Sequence, residues 1–246
     1  MKLRKLVQQL IRRAGYDLRW LPRALAEHPA AQLEVSLEMA VARHFLDVDD
    51  FFFVQVGAFD GICVDPIAPV IGKLPCRGVM IEPQPDAFAR LKENMAGRSG
   101  LELLQVAVSD EEGEVPFYSL DPAAPGLPSK APLISSLARE TLLRELDPAV
   151  NWDPWVRKTI VPCTTLNALF AQRAVQRVDL LQIDAEGHDA RILGALDFSR
   201  WAPHIINFEH VLMPKTEAEA CWRLLIDQGY RLSAVPPDTL AVRWIA

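Results

Sequence analysis

Cysteine is scarce in this 246-residue sequence, and the spacing of the four cysteines excludes two kinds of small fold. They form no C-x-x-C pair, so we expect neither a zinc knuckle nor a framework of disulfide bonds. Reduced cysteines are typical of cytoplasmic proteins, and we therefore predict a cytoplasmic location.

The sequence also has no long apolar run and no extended basic run. No segment reaches the roughly 18 consecutive apolar residues of a membrane-spanning helix. The formal net charge is −6, and lysine and arginine do not cluster beyond the first residues. Phosphate neutralisation supplies most of the affinity for nucleic acid, so we expect no nucleic-acid partner. With 50% hydrophobic and 24% charged residues, the composition is that of a soluble globular protein.

Residues 1–22 have a basic amphipathic pattern. Polar and charged residues interrupt the apolar centre that a signal peptide needs. One interpretation is a helix that packs on the domain or on the second subunit of a homodimer. The other is a helix that makes a peripheral contact with an anionic membrane surface. We divide the chain into an N-terminal helical segment, residues 1–48, and a single domain, residues 49–246.

The glycine fingerprint of dinucleotide-binding proteins is incomplete. The apolar run Phe53–Val56 ends in Gly57-x-x-x-Gly61, which lacks the middle glycine of G-x-G-x-x-G. A second apolar run, Gly78–Ile81, ends on Glu82. Gly57 allows a sharp turn at the end of a strand, and Glu82 can accept hydrogen bonds from both hydroxyls of a ribose. The pattern favours a nucleoside without phosphates, and S-adenosylmethionine is the common one.

Alternating strand and helix patterns predict one α/β domain with a mixed sheet that ends in an antiparallel hairpin. The third strand is predicted over Leu101–Val108, with Ser109 after it, close to the adenine of a bound nucleoside. Residues 119–155 form a proline-rich insertion. It is either a surface loop or a lid that closes over the acceptor, with Trp152 and Trp155 against a sugar.

Acidic residues and histidines follow two later strands. Asp184, Glu186 and His188 follow one of them, and Glu209 and His210 end the next. Ligands bind beyond the carboxyl ends of the strands in an open sheet, so these residues are candidates for the base that deprotonates an acceptor hydroxyl. The alternatives are helix capping, solvated turn acids, and a divalent cation held by Asp184, Glu186 and Glu209. The spacing matches no metal-ligand motif, so we predict no metal.

An ordered set of motifs resembles the FkbM-type methyltransferases. The motifs are Val54–Gly61, Ile81–Pro83, Val106–Asp110 with Gly113, Thr165–Leu166, Asp179–Asp189 and Phe208–Glu209. The resemblance covers about residues 50–235. It implies a class I methyltransferase (Rossmann-like) fold, with a mixed seven-stranded sheet and helices on both faces. It also implies S-adenosylmethionine as the cofactor and O-methylation of a sugar, a glycan or a glycosylated natural product.

The resemblance also implies a set of site residues. Asp184 and Glu186 would face the transferred methyl group. Gln55 stands where an acid is common, two residues before the first glycine, and its carbonyl can still accept a hydrogen bond from the cofactor's amino group. The cofactor-binding residues implied are Gln55, Gly57, Ala58, Phe59, Asp60, Gly61, Glu82, Pro83, Val108, Ser109 and Asp184.

Two other functions are compatible with the sequence. One is a NAD-dependent oxidoreductase on a similar sheet, against which the missing glycine counts. The other is a catalytically degenerate partner subunit. The acceptor itself is not predicted, because its specificity would lie in the insertion at residues 119–155, which has no recognisable pattern.

Overall fold

The computed structural model describes residues 36–243, except 46–47, 49, 72–73 and 128–134. The predicted basic helix of residues 1–22 lies outside the described residues. So does most of the segment assigned to residues 1–48.

A mixed sheet of seven strands forms the centre of the fold, as predicted. Five strands run parallel, and a hairpin is added antiparallel at one edge. The spatial order is β10-β11-β9-β8-β1-β2-β3. The strands are β1 (Phe51–Val56), β2 (Cys76–Ile81), β3 (Leu101–Leu104), β8 (Leu180–Ile183), β9 (Ile205–Glu209), β10 (Arg231–Val235) and β11 (Asp238–Val242).

Helices cover both faces of this sheet because successive strand residues point to opposite sides. On one face, Phe51 and Phe53 pack in a core with Val41 and Leu91. This face carries α1 (Leu37–Phe45), α2 (Ala68–Ile71) and α3 (Pro85–Asn94). On the other face, Val54 belongs to a second core. The helices there are α5 (Leu166–Gln172), α6 (Asp189–Ala195) and α7 (Lys215–Asp227).

A second, four-stranded sheet was not anticipated. Its order is β4-β7-β5-β6. The predicted strand Leu101–Val108 is divided, since its first part belongs to the main sheet and its last two residues pair with β7. The alternation in β7 is weak and Pro162 interrupts it, so the strand pattern is hard to recognise. The elements are β4 (Ala107–Val108), β5 (Gly113–Leu120), β6 (Ser135–Ser136), α4 (Arg139–Arg144), a 3₁₀ turn (Asp153–Trp155) and β7 (Val156–Thr164).

A buried carboxylate fastens α1 to the amino end of the sheet. Asp179 is fully buried, and its Oδ1 lies 2.8 Å from His44 Nε2. Its Oδ2 accepts a hydrogen bond from the backbone N–H of Phe52, also at 2.8 Å. In the described part of the chain, no helix has the length and apolar character needed to cross a membrane.

Candidate active site

A cavity of about 350 Å³ opens at the carboxyl ends of the central strands. From the ends of β1 and β2 it is lined by Gln55, Gly57, Ala58, Phe59, Glu82 and Pro83. From β8, β9 and the second sheet it is lined by Asp184, Glu186, Glu209 and Val108. The structure therefore brings together most of the residues predicted for the cofactor and for catalysis.

Five predicted residues are not among those that line the cavity: Asp60, Gly61, Ser109, His188 and His210. Gly61 has a φ of +73°, and a Cβ there would lie 2.8 Å from side-chain atoms of α3, so it allows the loop to pack on that helix. The Asp60 Oδ1 accepts hydrogen bonds from the N–H groups of the two residues after Gly61, at 3.0 and 2.7 Å. Both residues shape the loop after β1.

The two predicted histidines are held in networks beside the cavity. His188 Nε2 lies 3.0 Å from Ser109 Oγ, which donates to Asp110 Oδ1 at 2.8 Å. His210 Nδ1 lies 3.1 Å from Thr239 Oγ1. Burial lowers the pKa of both imidazoles, so each is mainly neutral near pH 7. Their role in catalysis stays a prediction.

Gly57 lies where the carboxyl ends of β1 and β8 approach each other closely. Its φ is +77°, and an added Cβ would lie only 1.8 Å from the carbonyl oxygen of Asp184. The N–H of Asp184 donates a hydrogen bond to the carbonyl of Val56 at 3.0 Å. This bond holds the ends of β1 and β8 at this separation. A side chain at residue 57 would therefore displace the backbone at Asp184.

Glu82 is fixed by the backbone of the site. Its Oε2 accepts from the N–H of Phe59 at 2.9 Å, and its Oε1 accepts from the N–H of Gln84 at 2.7 Å. The side chain is buried, and burial raises its pKa to about 7 despite these two hydrogen bonds. An ionised carboxylate has about four acceptor positions, so two are left for a ligand.

Polar residues inside the apolar strands form a row that the sequence reasoning missed, apart from Gln55. Gln55, Gln182 and Asn207 occupy paired positions on β1, β8 and β9. Gln55 Nε2 donates to Asp65 Oδ2 at 3.0 Å, and Asn207 Nδ2 donates to Gln182 Oε1 at 2.9 Å. These amide residues could have been noticed in the sequence, because an amide side chain within an apolar, buried strand needs a hydrogen-bond partner.

One atom of this row lacks such a partner. Gln55 is 2% exposed, and its Oε1 accepts no hydrogen bond in the described structure. Since Gln55 lines the cavity, this oxygen can receive an N–H group of a ligand. The position of Gln55 Oε1 is compatible with the predicted hydrogen bond from the cofactor's amino group.

Three acids stand at the ends of β8 and β9. Burial is the first cause of their altered ionisation, and it raises the pKa of Asp184 to about 6, of Glu209 to about 8 and of Glu186 to about 9. Neighbouring carboxylates contribute to these raised values in the same direction. Asp184 is therefore the acid of the three that is mostly ionised near pH 7, and it can accept a proton there.

No group of three His, Cys, Asp or Glu side chains in the described residues is arranged to hold a metal ion. This includes the candidate set Asp184, Glu186 and Glu209. Glu186 has a φ of +49°, in the left-handed region.

The second sheet forms one wall of the cavity. Phe117, Ser135, Ser136, Leu137 and Glu145 all line it. The Ser136 hydroxyl donates to the carbonyl of Glu186 at 3.0 Å, which links this wall to the catalytic candidates.

The two tryptophans of the insertion differ in burial, and only Trp152 is buried. Trp152 is 5% exposed and packs in a small core of the insertion, with Trp155 against that core. The indole N–H of Trp152 donates to the carbonyl of Asp147 at 2.9 Å. The ring of Trp152 is therefore not available to pack against a sugar.

The raised pKa values predict how stability depends on pH. The folded protein retains protons on Glu82, Asp184, Glu186, Asp189 and Glu209 at pH values where the unfolded chain has lost them. The free energy of unfolding therefore falls as pH rises from about 5 to 8. We expect the melting temperature to fall over this window.

Thermal unfolding at pH 6 and pH 8 measures this effect. The Glu186→Gln variant lacks one of the proton-binding groups, so its melting temperature should fall less between the two pH values. A melting temperature that is constant or rises from pH 6 to 8 would contradict the assignment of these acids.

The seven-stranded order and the site at the strand ends define a class I methyltransferase. A family model described as the methyltransferase FkbM domain matches residues 55–232. The chain belongs to the FkbM methyltransferase family. No curated protein sequence matches it.

Solved structures show similarity at low sequence identity. An FkbM methyltransferase from Methylobacillus flagellatus KT is 14% identical, with a TM-score of 0.47 over 81% of this chain and 46% of that one. This chain thus spans less than half the length of that protein. Fibrillarin from Aeropyrum pernix, with natively bound S-adenosyl-L-methionine, is 12% identical, with a TM-score of 0.41 over 78% of this chain and 66% of that one.

A precorrin-6y C5,15-methyltransferase from Geobacter metallireducens is 11% identical, with a TM-score of 0.41 over 89% of this chain and 92% of that one. The family match and the sheet topology establish the family.

Proposed function

We propose that the chain binds S-adenosylmethionine in this cavity and transfers its methyl group to a hydroxyl of a sugar, a glycan or a glycosylated natural product. The proposal is based on the position of Gly57 and Glu82 beside each other in the cavity. A sharp turn after β1 stands beside a fixed carboxylate after β2, and both line one cavity. This is the arrangement that receives the ribose of a nucleoside in a doubly wound sheet.

The residues present fit the parts of such a cofactor. The free acceptor positions of Glu82 suit the two ribose hydroxyls, and the unpaired Oε1 of Gln55 suits the ammonium group. The cofactor supplies a methyl group on a positive sulfur. The chain holds the acceptor oxygen in line with the methyl carbon and the sulfur.

The proposed reaction is a single displacement. S-adenosylmethionine, held by Glu82 and Gln55, would supply its methyl group to the acceptor oxygen and would leave as a neutral thioether that keeps the electrons of the broken carbon–sulfur bond. The hydroxyl proton moves to the carboxylate of Asp184, which is the ionised acid of the site near pH 7.

A transfer assay tests this function. The protein is incubated with methyl-labelled S-adenosylmethionine and a panel of free sugars, lipid-linked sugars and glycosylated small molecules. We expect labelled product, with the methyl on oxygen by fragmentation mass spectrometry. Label found only on nitrogen or carbon, or no transfer to any member, would count against O-methylation.

The Glu82→Ala substitution is expected to weaken S-adenosylmethionine binding by at least about tenfold. Each hydrogen bond from a ligand to a charged group contributes roughly 1.5–3 kcal/mol, and tenfold corresponds to about 1.4 kcal/mol. Calorimetric titration of the folded variant measures the affinity.

A control is needed because Glu82 also holds the N–H of Phe59, so the loop after β1 loses a contact in the variant. Asp60→Ala loosens the same loop without removing a group that lines the cavity. We expect Asp60→Ala to change affinity by less than about threefold. Equal losses in the two variants would show that loop order, and not the ribose contact, sets the affinity.

A further inference from the structure

Apolar side chains are exposed beside the opening of the cavity. The described residues include five exposed large apolar side chains, and three of them, Ile62, Val64 and Val211, lie in the loops that follow β1 and β9. Val64 is 81% exposed and Ile62 is 59% exposed. Val64 also lines the cavity, as does Leu212, the neighbour of Val211. Single exposed apolar residues are normal on a protein surface, whereas a group of them beside a cavity indicates a place where a ligand binds.

Hydrogen bonds within the loop after β1 hold Val64 in its exposed position. Val64 has a φ of +56°, which a β-branched residue rarely adopts. Asp60 Oδ1 accepts from the two N–H groups that precede Val64, and Asp65 Oδ1 accepts from two N–H groups at the start of α2. Asp65 also ties the loop to the floor of the cavity, because its Oδ2 accepts from Gln55 Nε2 at 3.0 Å. The contacts on both sides therefore maintain a backbone conformation that valine does not favour by itself.

The size of the cavity requires a large acceptor to extend through its opening. The volume of about 350 Å³ is at the lower end of the range of roughly 300–1,000 Å³ for ligand sites. The cofactor contacts proposed for Glu82 and Gln55 place S-adenosylmethionine at the ends of β1 and β2. Val64 lines the cavity and is mostly exposed, so it lies at the opening. The part of an acceptor that does not fit inside would leave the cavity there.

The side of the cavity formed by the ends of β8 and β9 suits an uncharged head group. Burial raises the pKa of Glu186 to about 9 and the pKa of Glu209 to about 8, so both carboxyl groups are protonated near pH 7. A protonated carboxyl group can donate one hydrogen bond and accept others. These two side chains can therefore pair with the hydroxyl groups of a sugar without requiring a charge on it.

We propose that the acceptor is an amphiphile, in which a hydroxylated head carries an apolar chain or aglycone. The head lies in the cavity with its reacting hydroxyl beside Asp184. The apolar part leaves through the opening and packs on Ile62, Val64 and Val211. This inference rests on the proposed methyl transfer.

Binding to the cofactor-loaded protein tests the proposal. The protein is saturated with S-adenosylhomocysteine and titrated, below the critical micelle concentration, with the methyl and octyl glycosides of glucose, mannose and galactose. In at least one pair the octyl glycoside should bind at least about tenfold more tightly, since burial of about two methylene groups is enough for this difference. Equal binding within every pair would overturn the proposal, as would a failure of all three octyl glycosides to bind.

The Val64→Asn variant tests where the apolar chain lies. Asparagine adopts a positive φ more readily than valine, so the variant should fold with an equal or higher melting temperature. We expect its preference for the octyl glycoside to fall at least about threefold and its affinity for S-adenosylhomocysteine to stay within about twofold. Val150→Asn is the matched control, because Val150 is exposed but does not line the cavity. An unchanged preference in Val64→Asn, or an equal reduction in both variants, would overturn the proposal.

The same variant distinguishes two other partners for Ile62 and Val64. Flotation with phosphatidylcholine vesicles detects a membrane contact, and sedimentation velocity detects a second copy of the chain. If the wild type floats with the vesicles or dimerises, Val64→Asn does neither, and no octyl glycoside is preferred, these residues form that other contact and the proposal is wrong. If S-adenosylhomocysteine does not bind the wild-type protein, the proposed function itself fails.

Discussion

Replacing Gly57 with alanine is expected to lower the free energy of unfolding by about 3 kcal/mol or more. The residue has a φ of +77°, which costs an alanine roughly 1–2 kcal/mol. The larger effect is steric, since the new Cβ would lie 1.8 Å from the carbonyl oxygen of Asp184. That oxygen belongs to the backbone immediately after β8, so no side-chain rotation relieves the clash.

The same change should abolish cofactor binding, because separating β1 from β8 moves the loop that carries Phe59 away from Glu82. In a protein of this size, a loss of 3 kcal/mol lowers the melting temperature by about 6–12 °C. Thermal unfolding and calorimetry measure the two effects.

Gly97→Ala is the matched control. Gly97 has a similar φ of +82°, but an added Cβ there would meet nothing within 4 Å. This variant isolates the cost of the backbone conformation, and we expect a loss of roughly 1 kcal/mol. If Gly57→Ala and Gly97→Ala had equal melting temperatures and cofactor affinities, the close approach of the two strands would not matter.

Replacing Asp184 with asparagine is expected to lower kcat by about 10²–10⁴-fold. Asparagine keeps the shape of the side chain but cannot accept the hydroxyl proton. The wild-type kcat should rise with pH through about 6, where Asp184 ionises, and the variant should lose this dependence. The melting temperature should not fall near pH 7, because the amide replaces a buried carboxylate whose ionisation is disfavoured in the folded protein.

The control for this effect is Glu112→Gln, which removes an exposed carboxylate away from the cavity. Its kcat and pH profile should match those of the wild type. Were Asp184→Asn as active as Glu112→Gln on a methylated acceptor, Asp184 would be only a turn residue, and the base would have to be sought in Glu186 or Glu209.

The main sheet could be predicted from the sequence because its signals are local. β1 is apolar except for Gln55 and ends in a glycine turn, and it contains the apolar run Phe53–Val56. The helix α5 begins within the Thr165–Leu166 motif, and the Thr165 hydroxyl accepts from the N–H of Ala168 at 3.1 Å. Such motifs are completed within a few residues.

The second sheet could not be predicted because it depends on pairing between distant segments. Val108 and Thr164 pair across the insertion, and Ser119 pairs with both Ser135 and Arg157. The long strand β7 has exposed residues over most of its length, so its hydrophobic pattern is weak. The wall that this sheet gives to the cavity was therefore not visible in the sequence.

Only part of the site could be predicted, again because some of its residues are positioned by contacts between distant segments. Residues that end strands of the main sheet, such as Glu82 and Glu209, were brought to one cavity by the topology. Ser109 does not line it, and its hydroxyl instead donates to Asp110 and lies 3.0 Å from His188 Nε2. Asp65 and Asp238 were missed, since their place beside Gln55 and Asn207 is set by tertiary contacts.

The most direct test of the central claim is calorimetric titration of the wild-type protein with S-adenosylmethionine, S-adenosylhomocysteine and NAD. We expect one molecule of either sulfur compound to bind per chain, with an affinity that Glu82→Ala weakens at least about tenfold, and no tight binding of NAD. Tight binding of NAD with no heat from either sulfur compound would contradict the account and assign the cavity to a dinucleotide.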